Sequence, residues 1–558
     1  MIDIRRLVPF LIAILFLLNG HTHAVAQTSA ASSKLGSIKG RVMSDGQAVT
    51  NASVTVSDVN TPRQTRAVPT NDNGEFEVKG LEPGTYRVDV SAPGYVAVLT
   101  DPDEKIYRVG ESVTLNMIKG GVITGRVATA EDDPVVAVRV RALMIRDQNG
   151  RPPVFMAPVA DELTDDRGVY RIYGLLPGTY IVLAGGRGFS GTGANAFDND
   201  APTFAPSSTR DTAEEVALAG GEERMVDIRY RAAKGYSVSG KVIAPTTLDQ
   251  PWMTIHLDRI VNSTPELRTT TYQSANAKGF EFKTVADGDY QIWAEYEARG
   301  GEKLVSDLKR ITVTKADVTG IELLAKPLAT VAGVVVMERS TLQECKNDRT
   351  MLFAETLVSL ERTKPQPARG EVSPDVAGNF QLRNLDAGQY KFYISVIGKR
   401  WYVRSVTVPL AKDSISDLTR NLLTLKSGDR VTGLKATLAE GAASIYGEVE
   451  LPEERAPGRI VFYVIPAEKD KAEEILRYFA TPVADDGSFT QEHIPPGRYW
   501  TFAKLVTAEN EIDTAAVRHP AAVSTRTKLR SEAEAAKSEL EVKPCQTVRE
   551  LKLPLASN

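Results

Sequence analysis

One spacing recurs five times along this chain and sets what it can fold into. An aromatic residue stands ten positions before a tyrosine: Phe76 and Tyr86, Tyr170 and Tyr180, Phe280 and Tyr290, Phe380 and Tyr390, Phe489 and Tyr499. Each tyrosine ends a Gly-x-Tyr step, as in Gly80-Leu81-Glu82-Pro83-Gly84-Thr85-Tyr86, Gly174-Leu175-Leu176-Pro177-Gly178-Thr179-Tyr180 and Pro495-Pro496-Gly497-Arg498-Tyr499. The third and fourth copies keep Gly288-Asp289-Tyr290 and Gly388-Gln389-Tyr390. A turn precedes the aromatic, most clearly Asp72-Asn73-Gly74, Asp166-Arg167-Gly168 and Asp486-Gly487; in the third copy the turn glycine has slipped to Gly279. Self-similarity of this kind marks a repeated structural unit.

Each copy also opens alike: Ile38-Lys39-Gly40-Arg41-Val42, Ile123-Thr124-Gly125-Arg126-Val127, Val238-Ser239-Gly240-Lys241-Val242, Val331-Ala332-Gly333-Val334-Val335 and Ile445-Tyr446-Gly447-Glu448-Val449. A glycine inside β-branched alternation predicts a strand with a bulge or a close backbone approach. After the tyrosine, Val88 and Val90 continue one face and Arg87 and Asp89 the other, which predicts an antiparallel, half-buried sheet. The tyrosine reads either as a tyrosine corner, its hydroxyl bonded to upstream backbone, or as a plain core aromatic. Closing strands are expected at 113–117, 225–230, 318–324, 431–438 and 548–555.

Residues 1–26 read as a secretory signal: Arg5 and Arg6, the apolar run Leu7 to Leu18, then Ala24-Val25-Ala26 with cleavage after Ala26. That run is about a dozen residues where a spanning helix needs about 20; an uncleaved N-terminal anchor is the rival reading. The expected location is therefore periplasmic or secreted. After a linker at 27–35, five units follow at 36–119, 120–233, 234–329, 330–441 and 442–558, each of roughly β-sandwich length. Short linkers such as Lys119-Gly120 and Ala232-Ala233-Lys234 predict a semi-rigid string of beads with contacts between neighbours.

The combination Gly-x-Val, Asp-x-Gly-x-Phe, Gly-Leu-x-Pro-Gly-Thr-Tyr and Ala92-Pro93-Gly94-Tyr95 resembles the carboxypeptidase regulatory-like domain. The likeness is close over 36–118, good over 121–185, and rests on the anchors alone in the last three units. It implies an all-β chain of five tandem seven-stranded Greek-key β-sandwich domains, transthyretin (prealbumin)-like; the residue pattern itself adds minor helical insertions, with candidates at 525–538 or 469–479. A fibronectin type III reading competes through its own Leu-x-Pro-Gly corner. That family, however, places one more residue between Thr and Tyr and expects an early tryptophan, which the first two units lack.

Chemistry is sparse. Lys and Arg number 67 against 71 Asp and Glu, a net charge of −4, which excludes a basic nucleic-acid footprint. A zinc carboxypeptidase needs His and Glu ligands at short spacing, yet His256, His493 and His519 are widely separated. His493, just before the Pro-Pro-Gly corner, reads as a loop residue. Gly188-Phe189-Ser190-Gly191 departs from a nucleophile elbow. Asp101-Pro102-Asp103-Glu104 and Asp198-Asn199-Asp200 lack calcium-loop periodicity. No catalytic residue, metal site or cofactor is expected.

Two features remain. Trp293, Tyr393 and Phe502 lie three residues past the corner tyrosine and, with Trp500, should point away from the core. They are candidates for stacking on sugar rings; the favoured alternative is cover by a neighbouring unit or a helical insertion. Cys345 and Cys545 are either one disulfide stapling the last two units or two buried thiols. The expected function is a non-catalytic exported structural or interaction protein, with carbohydrate affinity as a further element. The alternative is an accessory subunit of an envelope transporter or peptidase. Its partner classes are accordingly a polysaccharide or an envelope protein.

Overall fold

A computed structural model describes residues 35–556 apart from internal stretches, of which the longest are 98–105, 187–196, 245–251, 452–458 and 507–519. Residues 1–34, with the segment that reads as a signal, the acidic cluster at 101–104, Asp198-Asn199 and Gly188–Gly191 fall outside the described residues.

The chain is all-β, and its strands fall into five consecutive sets of one design. The opening strands are Gly36–Ser44, Gly121–Ala128, Tyr236–Ile243, Ala329–Glu338 and Ala443–Glu450. Each pairs antiparallel with the strand carrying the recurrent aromatic. Each also pairs parallel with the closing strand of its set. The first, second and fourth sets form a five- and a four-stranded sheet; the third and fifth form single sheets of eight and seven strands. The parallel pair departs from the purely antiparallel expectation. Side-chain alternation reports which face is buried, and carries no information about the direction of a strand returning roughly 75–105 residues later.

The opening glycine is explained by what stands around it. Gly40, Gly125, Gly240, Gly333 and Gly447 are direct cross-strand partners of Phe76, Tyr170, Phe280, Phe380 and Phe489. A Cβ on any of them would fall well inside contact distance of a closing-strand carbonyl, that of Val113, Val226, Ile321, Leu434 or Leu551. In the last three sets the parallel ladder also shifts register at this glycine. Close approach and bulge therefore occur together there.

The second anchor is a tyrosine corner in all five sets. The hydroxyls of Tyr86, Tyr180, Tyr290, Tyr390 and Tyr499 donate to the carbonyls of Glu82, Leu176, Ala286, Asp386 and Pro495 at 2.7–2.9 Å. Each ring belongs to the core of its own set. Burial pushes the phenols up, to about 12 for Tyr86 and Tyr390, so they remain protonated donors.

The fifth set carries a second apolar layer. Helix Val523–Ala536 lies where a helix was expected at 525–538 and places Leu529 and Ala533 against Tyr463, Tyr478 and Phe502. The other helix candidate, 469–479, is instead two 3-10 turns, Lys469–Lys471 and Ile475–Arg477, followed by a strand from Phe479. Its backbone N–H groups mostly bond three residues back, and between the two turns Ile475 N–H bonds the Thr419 carbonyl of the fourth set at 2.6 Å instead. No helix among the described residues is long and apolar enough to cross a membrane.

Candidate functional site

Six residues before each corner tyrosine, the backbone is left-handed. The positions are Gly80, Gly174, Thr284, Asn384 and His493, with φ between 58° and 74°. Each lies where the antiparallel ladder between opening and aromatic strands shifts register, so it is the extra residue of a bulge. Such a residue turns its polar groups away from its own ladder, and in four sets it meets the joint with the preceding one. Gly174 lies against Gly120, and Thr284 against Gly235. Asn384 accepts from Lys303 N–H at 3.0 Å and donates to the Gly301 carbonyl at 2.9 Å. His493 Nδ1 donates to the Trp401 carbonyl at 3.0 Å. His493 is therefore a joint residue at a strand end, not a free loop. The sequence signal was present as Gly80 and Gly174, but substitution by Thr, Asn and His hid it.

Other contacts tie the sets together. Between the second and third, Arg210 makes a bidentate pair with Glu266, both bonds 2.6 Å and both side chains nearly buried. Between the fourth and fifth, Cys345 and Cys545 are joined as a disulfide with Cα atoms 5.4 Å apart. Lys399–Glu492 at 3.0 Å and Arg420–Glu474 at 3.1 Å join the same two sets. The first set also meets the fourth. Asn60 and Ser373 exchange two hydrogen bonds, of 2.8 and 3.0 Å, and Arg87 pairs with Glu371 at 2.8 Å. A string of beads touching only neighbours is thus incomplete. Linker length limits how far adjacent units separate, but does not say which distant faces match.

The four sheet aromatics do not converge on one surface. Trp293 points away from the core, stacked on His256 with centroids 4.2 Å apart and with the Arg268 guanidinium 5.2 Å from its centroid. Tyr393 lines a cleft between the fourth and fifth sets with Tyr402, Leu476, Phe479 and His493. Phe502 is stacked on Tyr463 beneath the helix, and Trp500 lies under Arg530 of that helix at 5.0 Å. Cover by a helical insertion accounts for these last two.

Around Trp293 sits a polar cluster on a sheet face of the third set. Fully buried Asp258 accepts from Arg268 at 2.6 and 3.0 Å, from Gln291 at 3.0 Å and from Trp293 Nε1 at 3.4 Å. His256 lies between Glu295, at 3.2 Å from Nε2, and Thr270, at 3.4 Å from Nδ1. The hydrogen bond from His256 holds the Glu295 carboxyl below its usual range, against the opposing effect of burial. Thr270, His256 and Glu295 stand in the order of a hydroxyl–base–acid relay. The Thr270 hydroxyl is buried among its strand neighbours, however, and the arrangement ties three strands together. Among the described residues, no group of three or more His, Cys, Asp or Glu is placed to share a metal ion.

The fold defines a class: an all-β protein of tandem sandwich modules joined by tight contacts. Within that class, residues 37–116 match the family model of the carboxypeptidase regulatory-like domain. Among solved structures, the chain is similar to the Bacillus anthracis TIE protein, at 10% identity, covering 85% of this chain and 70% of that one, with a TM-score of 0.15. It is also similar to BcpA, the major pilin subunit of Bacillus cereus, at 12% identity, 52% and 99% coverage and a TM-score of 0.15. The shaft pilin SpaA from Lactobacillus rhamnosus GG gives 11%, 35%, 98% and 0.17. Scores this low carry no argument about function. A comparison with curated proteins gives no match.

Proposed function

We propose that this chain is a non-catalytic, exported structural protein whose five repeats, bounded at 36–119, 120–233, 234–329, 330–441 and 442–558, are held in one arrangement to present surfaces to a partner. The observation that carries this reading is the contact of the first set with the fourth through Asn60, Arg87, Glu371 and Ser373. A chain selected only to space its ends has no use for such a closure. Arg87 and Glu371 are mostly buried, so solvent screens their attraction less than at an open surface.

A protein partner in the envelope, as for an accessory subunit of a transporter or peptidase, fits this reading better than a polysaccharide. Trp500 and Phe502 are covered and the Trp293 ring is engaged by His256 and Arg268, so three of the four candidate stacking aromatics already have partners within the chain. The test is a pull-down from envelope extract run beside a polysaccharide array. One abundant protein retained by the wild type and lost with Glu371→Arg is the expected result. Specific glycan retention without a protein partner would replace this reading with a carbohydrate-binding one.

A further inference from the structure

An arginine beside the corner tyrosine recurs in the last three sets. In the fourth, Arg362 stands directly across from Tyr390, and its guanidinium pairs with Asp386 at 2.9 Å. Asp386 is the residue whose carbonyl accepts the Tyr390 hydroxyl. In the fifth, Arg477 donates to the Tyr499 hydroxyl at 3.0 Å and pairs with Glu474 at 2.7 Å. Both sets thus neutralise the arginine with a carboxylate of their own.

The third set keeps the arginine and lacks that carboxylate. Arg259 stands directly across from Tyr290, the register of Arg362, and Nη1 lies 3.4 Å from the Tyr290 hydroxyl. The corner residue matching Asp386 is Ala286, whose carbonyl accepts the Tyr290 hydroxyl. Arg259 is 5% exposed, and its Nε is buried with no hydrogen-bond partner. The nearest acid, Asp211 of the second set, is 3.6 Å from Nη2 and 81% exposed, so water screens most of its attraction. A charged group this deep in protein is costly unless it is paired and hydrogen-bonded.

Arg259 and Ala286 line a cleft between the second and third sets. Opposite them is Arg141, 2% exposed, whose Nη2 donates to the Gly185 carbonyl at 2.6 Å and the Gly186 carbonyl at 3.2 Å. Lys283 lines the same cleft, with Glu281 3.8 Å from its Nζ. The cleft residues therefore include three cationic side chains and no acidic one.

We propose that this cleft binds a small carboxylate anion, which takes beside Arg259 the place that the Asp386 side chain takes beside Arg362. A planar guanidinium suits the two oxygens of a carboxylate. Bound there, the anion would lie beside Arg259 in a cleft lined by residues of both the second and third sets.

The test is thermal unfolding of the full chain in sodium acetate against sodium chloride at equal ionic strength. The expected result is a saturable rise in Tm with acetate beyond that with chloride, because a ligand that binds only the folded state stabilises it by mass action. Arg259→Gln should lose the acetate increment. Ala286→Asp, which installs the carboxylate found in the fourth set, should raise Tm without acetate and abolish the increment. Should Arg259→Gln fail to fold, Ala286→Asp carries the test alone. An acetate increment absent from the wild type, or surviving unchanged in Ala286→Asp, overturns the proposal.

Discussion

Gly447 and Phe489 are cross-strand partners, and a Cβ placed on the glycine would sit 2.5 Å from the edge of the Phe489 ring. On its other side the Leu551 carbonyl closes in from the parallel closing strand. Gly40 and Gly125 meet a ring and a closing-strand carbonyl in the same way, and Gly240 and Gly333 meet the closing-strand carbonyl while pairing with the aromatic residue, so the glycine is where two ladders meet. Its conservation from set to set within this chain follows from space, not from backbone dihedrals.

Gly447→Ala should therefore destabilise by about 1–3 kcal/mol, the range for forcing a methyl group into a packed site. Chemical denaturation followed by circular dichroism measures it. Gly300→Ala, where a Cβ would meet nothing within 4 Å, should change stability by less than about 0.5 kcal/mol. Equal effects at the two positions would remove the steric account.

Tyr390→Phe deletes the corner hydroxyl and leaves the Asp386 carbonyl without its donor, at an expected cost of about 1 kcal/mol. The pH dependence adds a sign. The Tyr390 phenol is raised from 10.0 to about 12 in the folded chain, so the fold binds the proton more tightly than the unfolded state does. Its contribution is complete below pH 10.0 and is lost as pH rises through about 12. Urea midpoints across that window should fall less steeply for Tyr390→Phe than for the wild type.

The repeat was legible because its anchors are steric requirements. The glycine must make room, the aromatic must cover it, and the tyrosine must reach four residues back; each leaves a residue type at a fixed spacing. What escaped the sequence depends on surfaces meeting. Arg87 and Glu371 are ordinary charged strand residues until the first and fourth sets touch. Trp500 looked exposed because alternation places it outside its own sheet, and only the helix 523–536 covers it. His493 reads as a loop residue from its place before the Pro-Pro-Gly corner, whereas its role is set by a left-handed bulge and a carbonyl in the preceding set.

Glu295 gives a prediction on the acid side. Its carboxyl is held below 4.5 by the hydrogen bond from His256, so the folded state favours the charged form. That contribution is present above 4.5 and is lost as pH falls through the lowered folded value. The stability gap between wild type and His256→Gln should be widest above 4.5 and narrow below it. Urea midpoints on a pH series measure the gap. A gap that stays constant on acidification would show that His256 acts through packing on Trp293 alone.

The Cys345–Cys545 bond closes a loop of 200 residues that spans the joint between the fourth and fifth sets. In the chain-entropy model a loop of that length stabilises by about 5 kcal/mol. Reduction, or Cys345→Ser with Cys545→Ser, should therefore lower the denaturation midpoint of the last two sets. The fifth set should respond most, since its remaining ties to the fourth are noncovalent: ion pairs such as Lys399–Glu492 and Arg420–Glu474, the His493–Trp401 hydrogen bond, and Leu476 packed into the fourth set's core. Hydrogen exchange resolved by segment should show faster exchange near Gly441 and Trp401. Protection at Asn60 and Ser373, where the first set meets the fourth, should be unchanged while the fourth set remains folded. Thiol titration of the denatured, unreduced wild type provides the control: the bridge predicts no reactive thiol, and two reactive thiols would reject it.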